Sequence, residues 1–328
     1  MLSFLIVGSG YRAEFYGRIA AAHPDRFQAL FLCRSAEKAA AVSAHCHVPA
    51  VLSLPEALAF QPDFVVIAVD KAHIADQILY WAGLGFAVLA ETPVAASRDR
   101  IEKLRLLKKQ ARQKIVCCEQ YARFPVLEEG LAFVKQGILG EPVSAYLSLA
   151  HDYHAFSLLR VLLDTRGEAC SFSVFSSEAA VTATDSRSGP ILDGRPETER
   201  RHTFHLTFAS GKTALYDFSP LQYHSFIRSR HLILRGTRGE WSDGRILYLD
   251  QGNHPQEIQL KEPFDFGREQ DEAAIFRMLA DMEAYLQGGP VPYLLEDALD
   301  DAAFWLASQD ALRQPASLIH FETRQGDD

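Results

Sequence analysis

The chain has 328 residues, 48% of them hydrophobic and 23% charged, a composition that suits a globular protein large enough for two cores. Its formal charge of −9 at pH 7 argues against a nucleic-acid partner, because phosphate binding needs clustered Lys and Arg. No apolar run reaches membrane-spanning length, Leu2 to Val7 is too short for a signal peptide's apolar core, and the five cysteines (Cys33, Cys46, Cys117, Cys118, Cys170) form no CxxC. The expectation is reduced thiols in the cytoplasm and no membrane partner.

The opening stretch, MLSFLIVGSGYRA, sets the organisation of the N-terminal half. Leu2 to Val7 reads as a buried parallel strand, Gly8, Gly10 and Ala13 come next with GxGxxA spacing, and Glu14 to Ala22 reads as helix. In that setting Gly8 permits a tight turn, Gly10 lets backbone approach a pyrophosphate, and Ala13 allows close helix–strand contact. The first helical N–H groups have no partner within the helix and sit at the positive end of the dipole, so Gly8, Ser9, Gly10, Tyr11 and Arg12 are candidate dinucleotide contacts. Further strands are predicted at Gln28 to Cys33, Phe64 to Val69, Ala87 to Ala90 and Ile115 to Cys118. Helices are predicted at Ser35 to His45, Ile74 to Leu84 and Arg98 to Gln113. This alternation predicts an α/β Rossmann domain, with a doubly wound parallel sheet, over residues 1–119.

From Gln120 the pattern changes. Phe124 to Lys135 and His154 to Leu163 carry helical spacing. Strands are predicted at Pro142 to Leu149, Ala169 to Ser176, His202 to Ala209, Thr213 to Ser219, His231 to Arg235 and Ile246 to Asp250. Ser186 to Glu199 reads as an exposed hairpin or mobile loop. Residues 120–322 are therefore expected to form an α+β domain with a large, mostly antiparallel open sheet. One face would pack on helices and the other would serve a homodimer or homotetramer. Two helices with apolar stripes, Ala274 to Tyr285 and Leu295 to Gln309, close the chain. The last is expected to pack back on the first domain, with 323–328 as a flexible tail.

Several clusters bear on chemistry. The tip of the second strand carries Cys33, Arg34, Ser35 and Lys38 where an NAD enzyme places Asp or Glu, so NADP is favoured over NAD. Glu91, Thr92 and Pro93 come after the fourth strand, at the sheet edge where nicotinamide is expected. Val69 and His73 in the loop after the third strand, and Gln120 after the fifth, complete the cofactor set. Tyr121 and Arg123 are candidate substrate contacts. His151, Asp152, Tyr153 and His154 lie at a strand-to-helix junction, where His154 is the best general acid or base. Asp152 or His151 would orient it, Tyr153 is a second proton donor, Arg160 faces an anionic substrate group, and Asp152 alternatively caps the helix. No metal site is expected. His45, Cys46 and His47 are too close in sequence to converge on one ion, and His202 and His205 fall on opposite faces of a strand.

Together, the strand–GxGxxA–helix start, the loop Ala68 to His73, the Glu91-Thr92-Pro93 turn and the linker GILGEPVSA (Gly137 to Ala145) resemble the glucose-fructose oxidoreductase/inositol dehydrogenase family, Gfo/Idh/MocA. The resemblance runs from Ser3 to about Gln314. It implies an NAD(P)-dependent oxidoreductase acting on a small-molecule substrate, a sugar, polyol or related carbonyl compound. Two departures matter. Thr92 stands where the family usually has the lysine of Glu-Lys-Pro. Asp152-Tyr153-His154-Ala155-Phe156-Ser157 stands for Gly-X-His-X-X-Asp, keeping only His154. The alternatives are a dinucleotide-binding sensor without turnover, or a hydrolase or lyase that cycles a bound cofactor.

Overall fold

The computed structural model describes residues 1–110, 114–186, 189–313 and 319–321. The chain begins β1 (Leu2–Val7), α1 (Tyr11–Ala22), β2 (Phe27–Leu32), α2 (Ala36–Cys46), β3 (Ala50–Val51), α3 (Leu54–Ala59) and β4 (Phe64–Ile67). It continues α4 (Ile74–Gly83), β5 (Ala87–Ala90), α5 (Arg98–Gln110), β6 (Ile115–Cys117), α6 (Pro125–Lys135), β7 (Pro142–Ser148) and α7 (Asp152–Leu162). Then come β8 (Cys170–Thr182), β9 (Asp185–Ser186), β10 (Gly189–Pro190), β11 (Pro196–Phe208), β12 (Thr213–Phe218) and β13 (His231–Gly236). The end is β14 (Gly239–Ser242), β15 (Arg245–Leu249), β16 (Pro255–Gln259), α8 (Arg268–Leu286), α9 (Leu295–Leu312) and β17 (Ile319–Phe321). Two compact units result. Met1–Phe124 with Phe266–Ala303 form one, and Pro125–Asp265 with Phe304–Asp328 form the other.

The first unit holds a six-stranded parallel sheet in the order β3-β2-β1-β4-β5-β6. Leu5, Ile6, Val65, Val66, Ile67, Val88 and Leu89 are all buried, so successive residues face helices on both sides, as a parallel sheet requires. The strand order reverses between β1 and β4, which makes the crevice outside their carboxyl ends the place for a ligand. β3 and α3 are absent from the sequence prediction. β3 has only two residues, and α3 is announced by a Ser53–Glu56 capping box with Pro55 in its first turn. The spacing also puts α8 in the second domain, whereas Ile275, Met278, Leu279 and Met282 join Phe4, Phe27 and Ala20 in the first unit's core. Ion pairs Arg18–Glu272 and Arg26–Glu283, each 2.7 Å, fasten α8 to α1 and the turn beyond it.

The second unit's sheet has eight strands in the order β16-β15-β14-β13-β7-β12-β11-β8, with β17 added at the β8 edge. Among its described pairs only β7 with β12 is parallel. Phe172, Val174, Phe204, Leu206, Tyr216 and Phe218 alternate onto one buried face, where Phe156 of α7 meets Phe204, Tyr216 and Phe304 at centroid distances of 5.4, 5.4 and 4.3 Å. The other face carries Phe175, Thr203, His205 and Leu215. Of the exposed hairpin or mobile loop expected at Ser186 to Glu199, the structure shows the hairpin, with strand residues in β9, β10 and the start of β11. β8 and β11 pair along thirteen residues each, from Cys170 opposite Phe208 to Thr182 opposite Pro196, and β9 pairs with β10. Its polar residues had no alternating apolar signal to announce a strand. Residues 187–188 of that prediction, 111–113 at the end of the helix predicted from Arg98, and the tail 323–328 lie outside the described residues. No helix is long and apolar enough to cross a membrane, among the described residues.

Candidate functional site

The glycine loop shows two glycines present for different reasons. Gly8 has φ +133°, and a Cβ there would stand 2.1 Å from the Ala68 carbonyl oxygen, so the fold itself demands glycine. The Ala68 N–H donates to the Val7 carbonyl at 2.9 Å, which locks the ends of β1 and β4 together. Gly10, the N-cap of α1, has φ −93° and ψ 179°, open to any residue, and a Cβ there would meet nothing within 4 Å. Packing does not require that glycine. Its absent side chain keeps open the space above the first N–H groups of α1, and the earliest helical bond runs from Glu14 N–H to the Gly10 carbonyl, 3.2 Å. Open space, donors outside the helical ladder and the positive helix end fit a dinucleotide pyrophosphate. Ser9 is half-buried beside it, and Tyr11 is exposed with its ring edge-on to Phe15 at 5.0 Å.

Arg12 reaches from α1 across the carboxyl edge of the sheet. Its Nε lies 3.7 Å from Glu91 Oε1 and its Nη1 lies 2.9 Å from Asp271 Oδ2 on α8. Tyr16 donates its hydroxyl to Glu91 at 2.6 Å, and Gln120 Nε2 donates to Asp271 Oδ1 at 3.1 Å. Burial opposes the charge on Arg12, but Glu91 and Asp271 more than offset it and hold the guanidinium charged. Burial raises the Glu91 carboxyl, with Arg12 and the Tyr16 hydroxyl pulling the other way. Burial also pushes the Tyr16 hydroxyl and the Cys118 thiol well up. Glu119 is pushed up to about 8 by burial, against the Tyr121 N–H it accepts and the Arg12 charge. The carboxyl edge of the sheet beside β5 and β6 is thus a buried acidic cluster around a guanidinium. Thr92 and Pro93, joined by a cis peptide, are half-buried beside it.

At the tip of β2 the structure separates the candidates. Cys33 is buried, its thiol raised by burial, and its N–H donates to Val51, so its side chain belongs to the core. Arg34, Ser35 and Lys38 are exposed, and the Ser35 hydroxyl caps α2 by accepting the Lys38 N–H at 3.3 Å. Val69 is half-buried, and exposed His73 is the N-cap of α4. Tyr121 is buried against Phe124 at 5.1 Å, while Arg123 pairs with Asp281 of α8 and its carbonyl accepts Arg277 at 2.9 Å.

In the second unit the N-terminus of α7 gathers His151, Asp152, Tyr153 and His154. The N-cap is His151, not Asp152, and it makes no side-chain capping bond. Asp152 has φ +28° in the first turn, a conformation Asp tolerates better than most residues and the one a glycine adopts freely. Its N–H donates to the Tyr216 hydroxyl at 2.9 Å, and its Oδ2 accepts Gln309 Nε2 of α9 at 3.2 Å. His151 is exposed. Its N–H donates to the Tyr223 hydroxyl at 2.9 Å, and its Nδ1 lies 2.6 Å from the same oxygen. His154 is buried and stands edge-on to His151 at 5.0 Å, with Tyr153 buried at 5.8 Å. Burial pushes His202 of β11 down, with Asp152 opposing, and its Nδ1 lies 3.0 Å from Ser176 Oγ. Arg160 is buried, and at about 100° per residue it points roughly 120° around α7 from His154. Sequence reasoning missed Tyr16, Asp271, Tyr216, Tyr223 and Gln309. Only Tyr223 had a nearby signal, the capping box of Ser219 with Gln222.

Residues 2–120 match the model of the Gfo/Idh/MocA family, an oxidoreductase family with an NAD-binding Rossmann fold. That stretch, about a third of the chain, is similar to the family's NAD-binding domain. Among curated proteins none matches the chain. Solved structures of similar fold span nearly all of it. Levoglucosan dehydrogenase in complex with NADH is 16% identical, covering 99% of each chain with TM-score 0.74. An Agrobacterium radiobacter oxidoreductase in complex with NAD+, L-tartaric acid and magnesium is 14% identical, covering 97% of this chain and 98% of its own, TM-score 0.74. A candidate NADPH-dependent oxidoreductase from Desulfitobacterium hafniense DCB-2 is 14% identical, covering 97% of each chain, TM-score 0.72. At these identities the likeness concerns the fold. Within the matched stretch the position after Glu91 is Thr92, and Arg12 stands just beyond the glycine loop.

Proposed function

We propose that the protein is an NAD(P)-dependent oxidoreductase that moves a hydride between nicotinamide and a small polar substrate, a sugar, polyol or related carbonyl compound. The observation that carries this reading is Gly10, a glycine that packing does not need, above the N–H groups that begin α1. The dinucleotide supplies the hydride chemistry when bound, and the protein supplies orientation and proton handling. Gly8 to Arg12 would hold the pyrophosphate. Arg34 and Lys38, exposed with Ser35 at the β2 tip, favour the 2′-phosphate of NADP over the free ribose of NAD. His154 exchanges the substrate's hydroxyl proton, and its buried setting beside His151 supports that role. Five free, buried cysteines support a cytoplasmic home.

Calorimetric titration of nucleotide-free protein with NADPH and then NADH tests the cofactor reading. Micromolar or tighter binding, stronger for NADPH and lost in Gly10→Val, is the expected result. No binding of either nucleotide would end it. Turnover on a panel of polyols, sugars and sugar ketones that disappears in His154→Ala is expected next. Thr92 favours one second reading, a dinucleotide sensor without turnover, because threonine cannot supply the cation or the shifting pKa of a lysine. Tight nucleotide binding with no hydride exchange across that panel would select it. The open sheet face, with Tyr146, Leu215 and Ile233, fits a homodimer or homotetramer. Light scattering at micromolar concentration should show an oligomer that Leu215→Glu weakens.

A further inference from the structure

The carboxyl edge of the parallel sheet is charged unevenly. At its β1 end stand the N–H groups that open α1, and at its β5–β6 end stand Glu91, Gln120 and Asp271, all within the first unit. Arg12 joins the two ends and is shared by two carboxylates, with Nη1 2.9 Å from Asp271 and Nε 3.7 Å from Glu91. One guanidinium cannot neutralise both, and their field holds it charged against its burial. Gln120 adds to the imbalance. It is 1% exposed, and its Nε2 donates to Asp271 Oδ1 at 3.1 Å. A carboxylate only accepts, so the amide nitrogen must be the end that faces Asp271, and Oε1 is the end left over. No described residue donates to that oxygen. A buried amide oxygen without a donor leaves the negative end of its dipole uncompensated, a source of negative potential separate from the carboxylates. The cluster is not sealed, because Arg12 and Asp271 keep 28% and 19% of their side chains exposed.

We propose that this cluster seats positive charge and makes the protein hold an oxidised nicotinamide nucleotide more tightly than the reduced one. The proposal rests on the oxidoreductase reading above. The two forms differ by one hydride, that is two electrons and a proton, and the ring is a cation when oxidised and neutral when reduced. In a doubly wound sheet the halves of a dinucleotide lie on either side of the switch point, here between β1 and β4. With phosphates at the start of α1, the nicotinamide half falls to the β4–β6 side. The phosphates draw on Arg12, and the two carboxylates are left to the ring. Charges in such a water-poor setting act more strongly than in bulk water, and the neutral reduced ring gains nothing from them. Tighter holding of the oxidised form makes the bound reduced form a stronger hydride donor, by about 30 mV for each tenfold in the affinity ratio. The favoured direction is therefore reduction. The hydride carries its electron pair to the carbonyl carbon, the π pair moves to oxygen, and the proton comes from His154 as assigned above. The cluster's part is to stabilise the positive charge that grows on the ring as hydride departs.

Calorimetric titration of the full-length, nucleotide-free protein with NADP+ and with NADPH at pH 7.5 tests this, because the two ligands differ only in the ring. NADP+ should bind about tenfold or more tightly than NADPH. Asp271→Asn removes a charge and keeps an acceptor for Gln120, and it should cut that ratio about fivefold or more. Whatever Arg12 then gains at the phosphates is common to both ligands and cancels in the ratio. Glu91→Gln keeps an acceptor for the Tyr16 hydroxyl and should cut the ratio in the same way. Glu283→Gln, on the same α8 but paired with Arg26 at 2.7 Å, should leave it unchanged. Binding of NADPH as tight as or tighter than that of NADP+ in the wild type would overturn the proposal, and so would a ratio that neither Asp271→Asn nor Glu91→Gln moves. The wild-type comparison decides even if both variants fail to fold. Binding of neither nucleotide would instead overturn the oxidoreductase reading, and this inference with it.

Discussion

The glycine loop of the first unit and the first turn of α7 in the second both bend the chain through conformations most residues avoid, yet they are built oppositely. At Gly8 the backbone itself makes the demand: φ is +133° and a neighbouring carbonyl occupies the space of a Cβ. At Asp152 a side-chain-bearing residue takes φ +28° and is kept there by groups far away in sequence, the hydroxyl of Tyr216 and the amide of Gln309. The first device is local and offers backbone N–H groups. The second is assembled from distant side chains and presents titratable groups. A shared fold with NAD-linked enzymes therefore says much about the first and little about the second.

The contrast breaks most visibly at Gly8. Gly8→Val should cost about 3 kcal/mol or more, through the clash and the left-handed backbone together, and should lower the thermal midpoint of the first unit sharply. Gly10→Ala should change stability by less than about 1 kcal/mol while weakening NADPH binding tenfold or more, because its Cβ enters ligand space rather than protein. If both variants lose stability equally, the distinction between a structural and a ligand-serving glycine is wrong.

Two buried carboxylates sharpen the same comparison through opposite pH dependences. Glu119, raised to about 8 mainly by burial, lies above its unfolded value of about 4.3. The folded state thus binds more protons between those values, and its stability falls as pH rises through that window. Glu119→Gln should therefore stabilise the protein by up to about 5 kcal/mol at pH 8.5 and by almost nothing at pH 4, measured by urea titration. Glu199 is held down to about 2, first by its hydrogen bonds to Arg228 and then, against a burial cost, by Arg201. Its contribution is present above pH 4.3 and is lost as pH falls toward 2, so Glu199→Gln should cost about 2 kcal/mol at pH 7 and progressively less in acid. Because Arg228 lies five residues beyond Tyr223, the variant should also loosen the turn that carries it.

Arg12 ranks next. Arg12→Met removes the partner of both Glu91 and Asp271, at an expected cost of about 1–2 kcal/mol, since the guanidinium keeps 28% of its side chain exposed. A fall in NADPH affinity alongside it would show that the arginine also faces the phosphates. No change in either quantity would mean that Tyr16 and Gln120 satisfy the two carboxylates without it.

The range of the interactions decides how much of the molecule was legible in its sequence. The parallel sheet was readable because each strand is a continuous apolar run and each crossover is short. The glycine loop was readable because its demand lies within a few residues. Two-residue β3 carries too little pattern to register. The far half of the β8–β11 hairpin reads equally as hairpin or mobile loop, because it carries no apolar–polar alternation and strand pairing there is decided by the partner strand. α8 was placed in the wrong unit because its apolar stripe states that it packs, not on what. The chemistry of α7 was half visible: His151 to His154 stand together in sequence, whereas Tyr216 and Tyr223 come from 64 and 72 residues away. Nothing local to Asp271 announces that it completes the Arg12 cluster.

The smallest effect bears most directly on how the second device arose. Asp152 stands where the resembling family's pattern has glycine, and its φ keeps the conformation a glycine would adopt. Asp152→Ala should cost about 1 kcal/mol, because alanine bears a Cβ at positive φ and has no polar group to accept from Gln309. Asp152→Gly relieves the backbone and loses only the carboxylate, so it should stay within about 0.5 kcal/mol of the parent. The two variants share the loss of the Gln309 bond and of the charge that opposes the downward shift of His202, so the difference between them isolates the backbone. If alanine proves as well tolerated as glycine, the first turn of α7 is not strained, and the aspartate is there for its carboxylate alone. If glycine is clearly better than the parent, the carboxylate is retained at a cost in stability, the expected mark of a group kept for chemistry rather than for the fold.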